Sequence, residues 1–112
     1  MKYIISIIQP GKLEQVRLAL ADLGLSGMTV SEVQGYGRQL GKTEIYRGAE
    51  YEIHFLPKVK IEIAVDTKIA PKIVDAIKSA AHSDKIGDGK IFVLDMSDAV
   101  RIRTGETGKD AI

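Results

Sequence analysis

The sequence predicts an α+β fold in the order βαββαβ, with a four-stranded antiparallel sheet and both helices on one of its faces. Three observations carry this. Val59, Ile61, Ile63 and Val65 alternate with Lys60, Glu62 and Ala64, the period of a half-buried strand. Leu13, Val16, Leu20 and Leu23 recur at helical spacing, as do Ile73, Ala76, Ile77, Ala80 and Ala81. Each helical pattern sits between strand-like runs, and right-handed crossovers place both helices on the same face, the ferredoxin-like arrangement.

The first strand is KYIISII, residues 2–8. Tyr3, Ile5 and Ile7 point one way, and Ile4 and Ile8 the other, so both faces are apolar. Helices cover one face only, and a second apolar face requires another subunit, so the pattern predicts an oligomer. Gly24 stops the first helix. Residues 28–36 form the second strand, with Gly27 before it and Gly35 and Gly37 loosening its end. The third strand, residues 59–65, leads to Asp66 or Thr67 as cap of the second helix, with Pro71 in its first turn. Residues 91–94 make the fourth strand, and residues 99–103 are expected to add a short fifth.

At 112 residues the chain is read as one domain, residues 1–112. A formal net charge of +1 and few aromatics argue against a nucleic-acid binder, which needs a basic surface or stacking platforms. The absence of cysteine removes disulfides and thiolate metal sites. The apolar start of the chain ends at Gln9 and Pro10, too short for a signal-peptide core, and no run is long enough to span a bilayer. The expected location is the cytoplasm.

Three segments carry chemistry. The first is GYGRQLGKTEIYRGAEYEIHFLPK, residues 35–58. A small domain seldom spends more than about 15 residues on a connection without function. Tyr46, Arg47 and Tyr51 on this loop are residue types that dominate interfaces. Gly35, Gly37, Leu40 and Gly41 come near a GxGxxG pattern but open no helix, so a dinucleotide fold is excluded. The second segment is KIGDGKIFVLD, residues 85–95. Gly87, Asp88, Gly89 and Lys90 are read as a turn before the fourth strand, where glycine amides approach an anion and Lys90 adds charge. Taken alone, the same residues favour the plainer reading of a tight turn with a solvated lysine. They are not a phosphate-binding P-loop, since Ile91 follows Lys90 where a hydroxyl would hold magnesium. The third segment is AVRIRTGETG, residues 99–108. Arg101 and Arg103 share one face if extended, which suits phosphate oxygens or, more plainly, a solvated basic edge.

Together the GRQ, YRGAEY and FLPK runs with the two later segments resemble the PII signal-transduction proteins, trimeric sensors of nitrogen and energy status, over essentially the whole chain. The resemblance implies a homotrimer with a long T-loop (residues 37–55) and a C-terminal extension. It implies that ATP or ADP sits between subunits. Lys90, Arg101 and Arg103 would hold the phosphates; Gly35, Gly37, Arg38, Gly87, Asp88 and Gly89 would line the cleft; Thr29 and Glu62 would lie near the adenine. It further implies a 2-oxoglutarate site at Gln39, Leu40, Gly41 and Lys58, formed with Mg2+ and ATP, Gln39 being the magnesium ligand. By the same resemblance Arg47 enters the pore of an ammonium transporter and Tyr51 is uridylylated by a uridylyltransferase. A nitrogen-regulatory kinase or assimilation enzymes are further partners, and the membrane is met only through the transporter.

The chain departs from the family at several positions. Gln9 stands where a lysine or arginine is usual and Gly11 where phenylalanine is common; Leu40, His54 and His82 also differ, and Ala49 leaves no phosphoserine switch. The expectation is a non-enzymatic sensor. The alternatives are a phosphoryl-transfer or ATP-hydrolysing enzyme on the same scaffold, which would need a base beside the phosphates, and a purely structural trimer.

Overall fold

The computed structural model describes residues 1–25, 27–36 and 55–112, together with the backbone of two short strands at Thr43–Tyr46 and Ala49–Glu52. The order is β1 (Lys2–Ile8), α1 (Leu13–Asp22), β2 (Thr29–Gly35), β3 (Thr43–Tyr46), β4 (Ala49–Glu52), β5 (Leu56–Val65), α2 (Ala70–Ala81) and β6 (Gly89–Asp95). A 3-10 turn, Pro10–Lys12, precedes α1, and another, Gly108–Ala111, ends the chain. The main sheet has the order β2-β5-β1-β6 with every pair antiparallel, as expected of a ferredoxin-like fold.

β1 is the centre of the construction. Its register sets Ile4 opposite Ile63 and Val93, Ser6 opposite Ile61 and Ile91, and Ile8 opposite Val59 and Gly89. Ile4, Ile8, Val59, Ile61, Ile63 and Val65 face the helices and close against Val16, Leu20, Ala70, Ile73, Ile77 and Ala81. Each fully buried isoleucine or leucine here contributes about 1.5–3 kcal/mol relative to exposure. Ser6 is buried in the same layer, and its hydroxyl has no hydrogen-bond partner.

The opposite face presents Tyr3, Ile5, Ile7, Ala64, Phe92 and Leu94, and among the described residues no helix lies over them. Phe92 and Leu94 are 47% and 45% exposed in the single chain, which leaves the uncovered apolar face that the alternation of β1 predicts. On this face the Tyr3 hydroxyl donates to Glu62 Oε2 at 2.9 Å, and Lys60 Nζ lies 3.1 Å from Glu62 Oε1.

Local chemistry explains the element boundaries. α1 stops short of Gly24, whose N–H donates to Ala21 O at 2.9 Å and whose φ of +81° turns the chain so that Leu25 N–H reaches Leu20 O at 3.1 Å. β5 starts at Leu56, earlier than alternation suggested; Pro57 is tolerated because pairing with β1 stops at Val59. α2 is not capped by Asp66 or Thr67. Asp66 instead accepts the Lys68 N–H at 3.2 Å in a local turn, and the helix begins after Ile69 without a side-chain cap.

Within the long connection Thr43↔Glu52 through Tyr46↔Ala49 pair as a two-stranded ladder. One further expectation is corrected. Residues 99–103 form no fifth strand. Arg101 N–H donates to Glu106 O and Gly105 N–H to Arg101 O, both at 2.8 Å, so the segment closes into a turn with one bridge, Val100↔Thr107. Gly105 and Gly108, at φ +74° and +64°, favour turning over alternation, and Ile102 is fully exposed rather than packed. Lys109 Nζ, 3.2 Å from Asp66 Oδ2, ties this tail to the end of β5.

Candidate functional site

A cleft of about 690 Å³ opens where β2 ends, β5 begins and the loop from α2 enters β6. Ile7, Gly35, Tyr36, Lys58, Lys85, Ile86, Gly87, Asp88, Gly89, Lys90 and Phe92 line it. The residues 87–90 are only partly a turn before the strand, since Gly89 and Lys90 already pair with β1 opposite Ile8 and Ile7.

Glycine is required here by contact. A Cβ on Gly89 would fall 1.7 Å from Ile7 O, and the residue sits at φ +112°. Gly87 has φ +100°. Both lie in the left-handed region that favours glycine, the kind of backbone from which anion-binding turns are built. Gly35 serves a side chain instead: a Cβ there would meet Lys58 Cγ at 3.1 Å, so its absence lets the Lys58 stem lie against β2.

Lys58 is only 6% exposed, and its ammonium donates to Gly87 O at 2.6 Å. Gln9 Nε2 donates to the same carbonyl, also at 2.6 Å. Asp88, which also lines the cleft, is held by a second set of bonds: it accepts the Ser83 N–H at 2.7 Å and the Ser83 hydroxyl. Those Ser83 bonds hold the Asp88 carboxyl below the usual aspartate range, with His82 Nδ1, 3.9 Å away, assisting. Asp88 is thus engaged, and Lys58, Lys85 and Lys90 give the cleft a positive character suited to phosphate or carboxylate. Beside the cleft the Tyr36 and Phe55 rings, at the two ends of the intervening loop, lie 5.6 Å apart and tilted by 45°.

Six expected residues therefore share one cleft: Gly35, Lys58, Gly87, Asp88, Gly89 and Lys90. Thr29 and Glu62 do not line it but pair with each other across β2 and β5 on the same open face. Glu62 is opposite Ile5, whose other neighbour is the cleft residue Phe92. Lys60, then Tyr3, keep the Glu62 carboxyl below its ordinary range, and burial, then Glu62, raises the Tyr3 phenol. Arg101 and Arg103 lie in the C-terminal turn, outside the cleft lining; Arg101 Nε is 3.7 Å from Glu106. They do not share the face of an extended segment. Gly37, Arg38, Gln39, Leu40, Gly41, Arg47 and His54 fall outside the described residues; Tyr51 is placed only as a backbone position in β4, opposite Glu44. Sequence reasoning missed the bond from Gln9 and the grip of Ser83 on Asp88. Only the pairing of Ile8 with Gly89 reveals that Gln9 comes beside Gly87.

Among the described residues no group of histidine and acidic side chains is arranged to hold a metal, and no helix is long and apolar enough to cross a membrane.

A family model described as nitrogen regulatory protein P-II matches residues 1–106. Nitrogen regulatory protein P-II 1 of Escherichia coli is 59% identical over 112 residues, with both chains fully covered. The nitrogen regulatory protein P-II of Rhizobium etli is 56% identical over the same span, again with full coverage of both. The crystal structure of Arabidopsis thaliana PII bound to citrate superposes with a TM-score of 0.81 at 37% identity, covering 99% of this chain and 91% of that one.

Proposed function

The chain belongs to the nitrogen regulatory protein P-II family, and we propose that it is a homotrimeric sensor, one domain over residues 1–112, that reads ATP or ADP and 2-oxoglutarate. The observation that carries the reading is the glycine-built cleft in which Gly87, Gly89 and Lys90 meet the buried Lys58. Phosphate oxygens would take the glycine amides and Lys90. A dicarboxylate would take the Lys58 ammonium at one end and, through Gln39, a magnesium ion shared with ATP at the other. That an Arabidopsis relative carries citrate supports a carboxylate in this fold.

The uncovered face of Tyr3, Ile5, Ile7, Phe92 and Leu94 supports burial against further copies. In a trimer, Arg101 and Arg103 would complete the nucleotide site, with Thr29 and Glu62 toward the base. The connection between β2 and β5 would be the output. Ligand states differ in affinity for its conformations, and a tenfold preference is worth about 1.4 kcal/mol. Arg47 would meet an ammonium transporter and Tyr51 a uridylyltransferase, with nitrogen-assimilation enzymes or their kinase as further readers. The protein acts in the cytoplasm and catalyses nothing itself.

Titrating ATP into three proteins tests this. Lys90→Ala is expected to weaken ATP at least tenfold, and Lys58→Ala to keep ATP while losing 2-oxoglutarate. Unchanged ATP affinity in Lys90→Ala refutes the phosphate assignment.

A further inference from the structure

The Gly87 carbonyl accepts two hydrogen bonds of equal length, 2.6 Å, from a buried cation, Lys58, and from a neutral amide, Gln9. A carbonyl has two lone pairs, so this pair satisfies it fully. The two donors come from different elements: Lys58 from β5, and Gln9 from the junction between β1 and the Pro10–Lys12 turn. Gln9 is placed rigidly, because Ile8 pairs with both Val59 and Gly89 and Pro10 follows directly. The rest of the turn is fixed independently, with Asp88 bonded to Ser83 and Gly89 in close contact with Ile7 O. Gly87 is thus the point at which the carboxylate-binding lysine and the phosphate-binding turn touch.

We infer that Gln9 is a positioning residue: it holds the Gly87–Lys90 turn through the Gly87 carbonyl while Lys58 engages a carboxylate, and so sets the coupling between the carboxylate and nucleotide sites. This rests on the sensor reading above. A carboxylate drawing on the Lys58 ammonium weakens the bond from Lys58 to Gly87 O, since an ammonium turned toward an anion is a poorer donor to a neutral carbonyl. Gln9 does not respond to that anion and keeps the turn in its nucleotide-ready form. A neutral amide also avoids setting a second ammonium beside Lys58.

Three variants separate the roles. Gln9→Leu removes the donor at similar size; Gln9→Glu replaces the donor with an acceptor that competes for Lys58; Gln9→Lys restores a donor. The first reading is hydrogen exchange of the amides of residues 85–90 in the ligand-free protein. It is expected to quicken at least tenfold in Gln9→Leu and Gln9→Glu and to return toward wild type in Gln9→Lys. The second is the ratio of ATP affinities with and without 2-oxoglutarate. That ratio is expected to fall at least threefold in Gln9→Leu and to stay lowered in Gln9→Lys, whose ammonium answers the anion as Lys58 does, while ATP alone changes less. Exchange and coupling both within twofold of wild type in Gln9→Leu overturn the inference, as does failure of Gln9→Lys to restore the slow exchange of the ligand-free protein. Wild-type protein that binds neither ligand refutes the sensor reading instead, and the exchange comparison then still decides whether Gln9 holds the turn.

Discussion

Gly89→Ala places the sharpest demand on the geometry of the cleft. The new methyl would sit 1.7 Å from Ile7 O and 2.8 Å from Ile7 C, both backbone atoms, so no side chain can swing aside. β1 and β6 would have to part at the Ile8–Gly89 pair, or the turn would have to refold. A positive φ alone costs a non-glycine residue about 1–2 kcal/mol. Gly105→Ala isolates that cost, because Gly105 has φ +74° with nothing within 4 Å of the position of its Cβ. The clash should bring Gly89→Ala to at least about 3 kcal/mol, a fall in Tm of more than about 10 °C for a domain of this size. Urea denaturation at one fixed protomer concentration measures both variants, since assembly makes stability concentration-dependent. Gly89→Ala within about 0.5 kcal/mol of Gly105→Ala would refute the close approach of β6 to β1, and with it the turn on which the proposed anion site depends.

Other expected outcomes follow from single contacts. Ser6→Ala should be neutral or stabilising by up to about 1 kcal/mol in the same denaturation assay, because it removes a buried hydroxyl without a partner. Asp88 is held below the usual aspartate range, mainly by Ser83. Its contribution is therefore fully present above the unfolded aspartate pKa of about 3.9 and lost as pH falls through the lower folded value. Asp88→Asn should cost stability at pH 7, and the gap should close toward pH 2; a gap independent of pH contradicts the assignment. Arg103→Ala should weaken nucleotide binding while leaving the oligomeric mass in light scattering unchanged, and normal ATP affinity would remove Arg103 from the site. Arg47→Glu should abolish capture by an ammonium transporter in pull-down yet leave ATP titrations unaltered; loss of both would mean that the loop also builds the pocket.

The sheet, both helices and the uncovered face were legible because each rests on periodicity: β5 alternates almost perfectly, and Ile73, Ile77 and Ala81 recur on one face of α2. Residues 99–103 misled for a local reason. Val100, Arg101, Ile102 and Arg103 alternate like a strand, but Gly105 and Gly108 fold the segment back before it can pair. Asp66 misled similarly, since its carboxylate found Lys68 N–H in a turn before the helix began. The glycines and lysines of the cleft could be named from sequence, whereas the convergence of Gln9 and Lys58 on Gly87 O could not. That contact joins positions 9, 58 and 87, and only the β1 register with β5 and β6 brings them together.

The most direct test of the central claim is an ordered calorimetric titration of 2-oxoglutarate into ligand-free protein and into protein saturated with ATP and Mg2+. The sensor account predicts binding to the nucleotide-loaded protein alone, lost in Lys58→Ala. Equal binding with and without nucleotide, or persistence in Lys58→Ala, would contradict it.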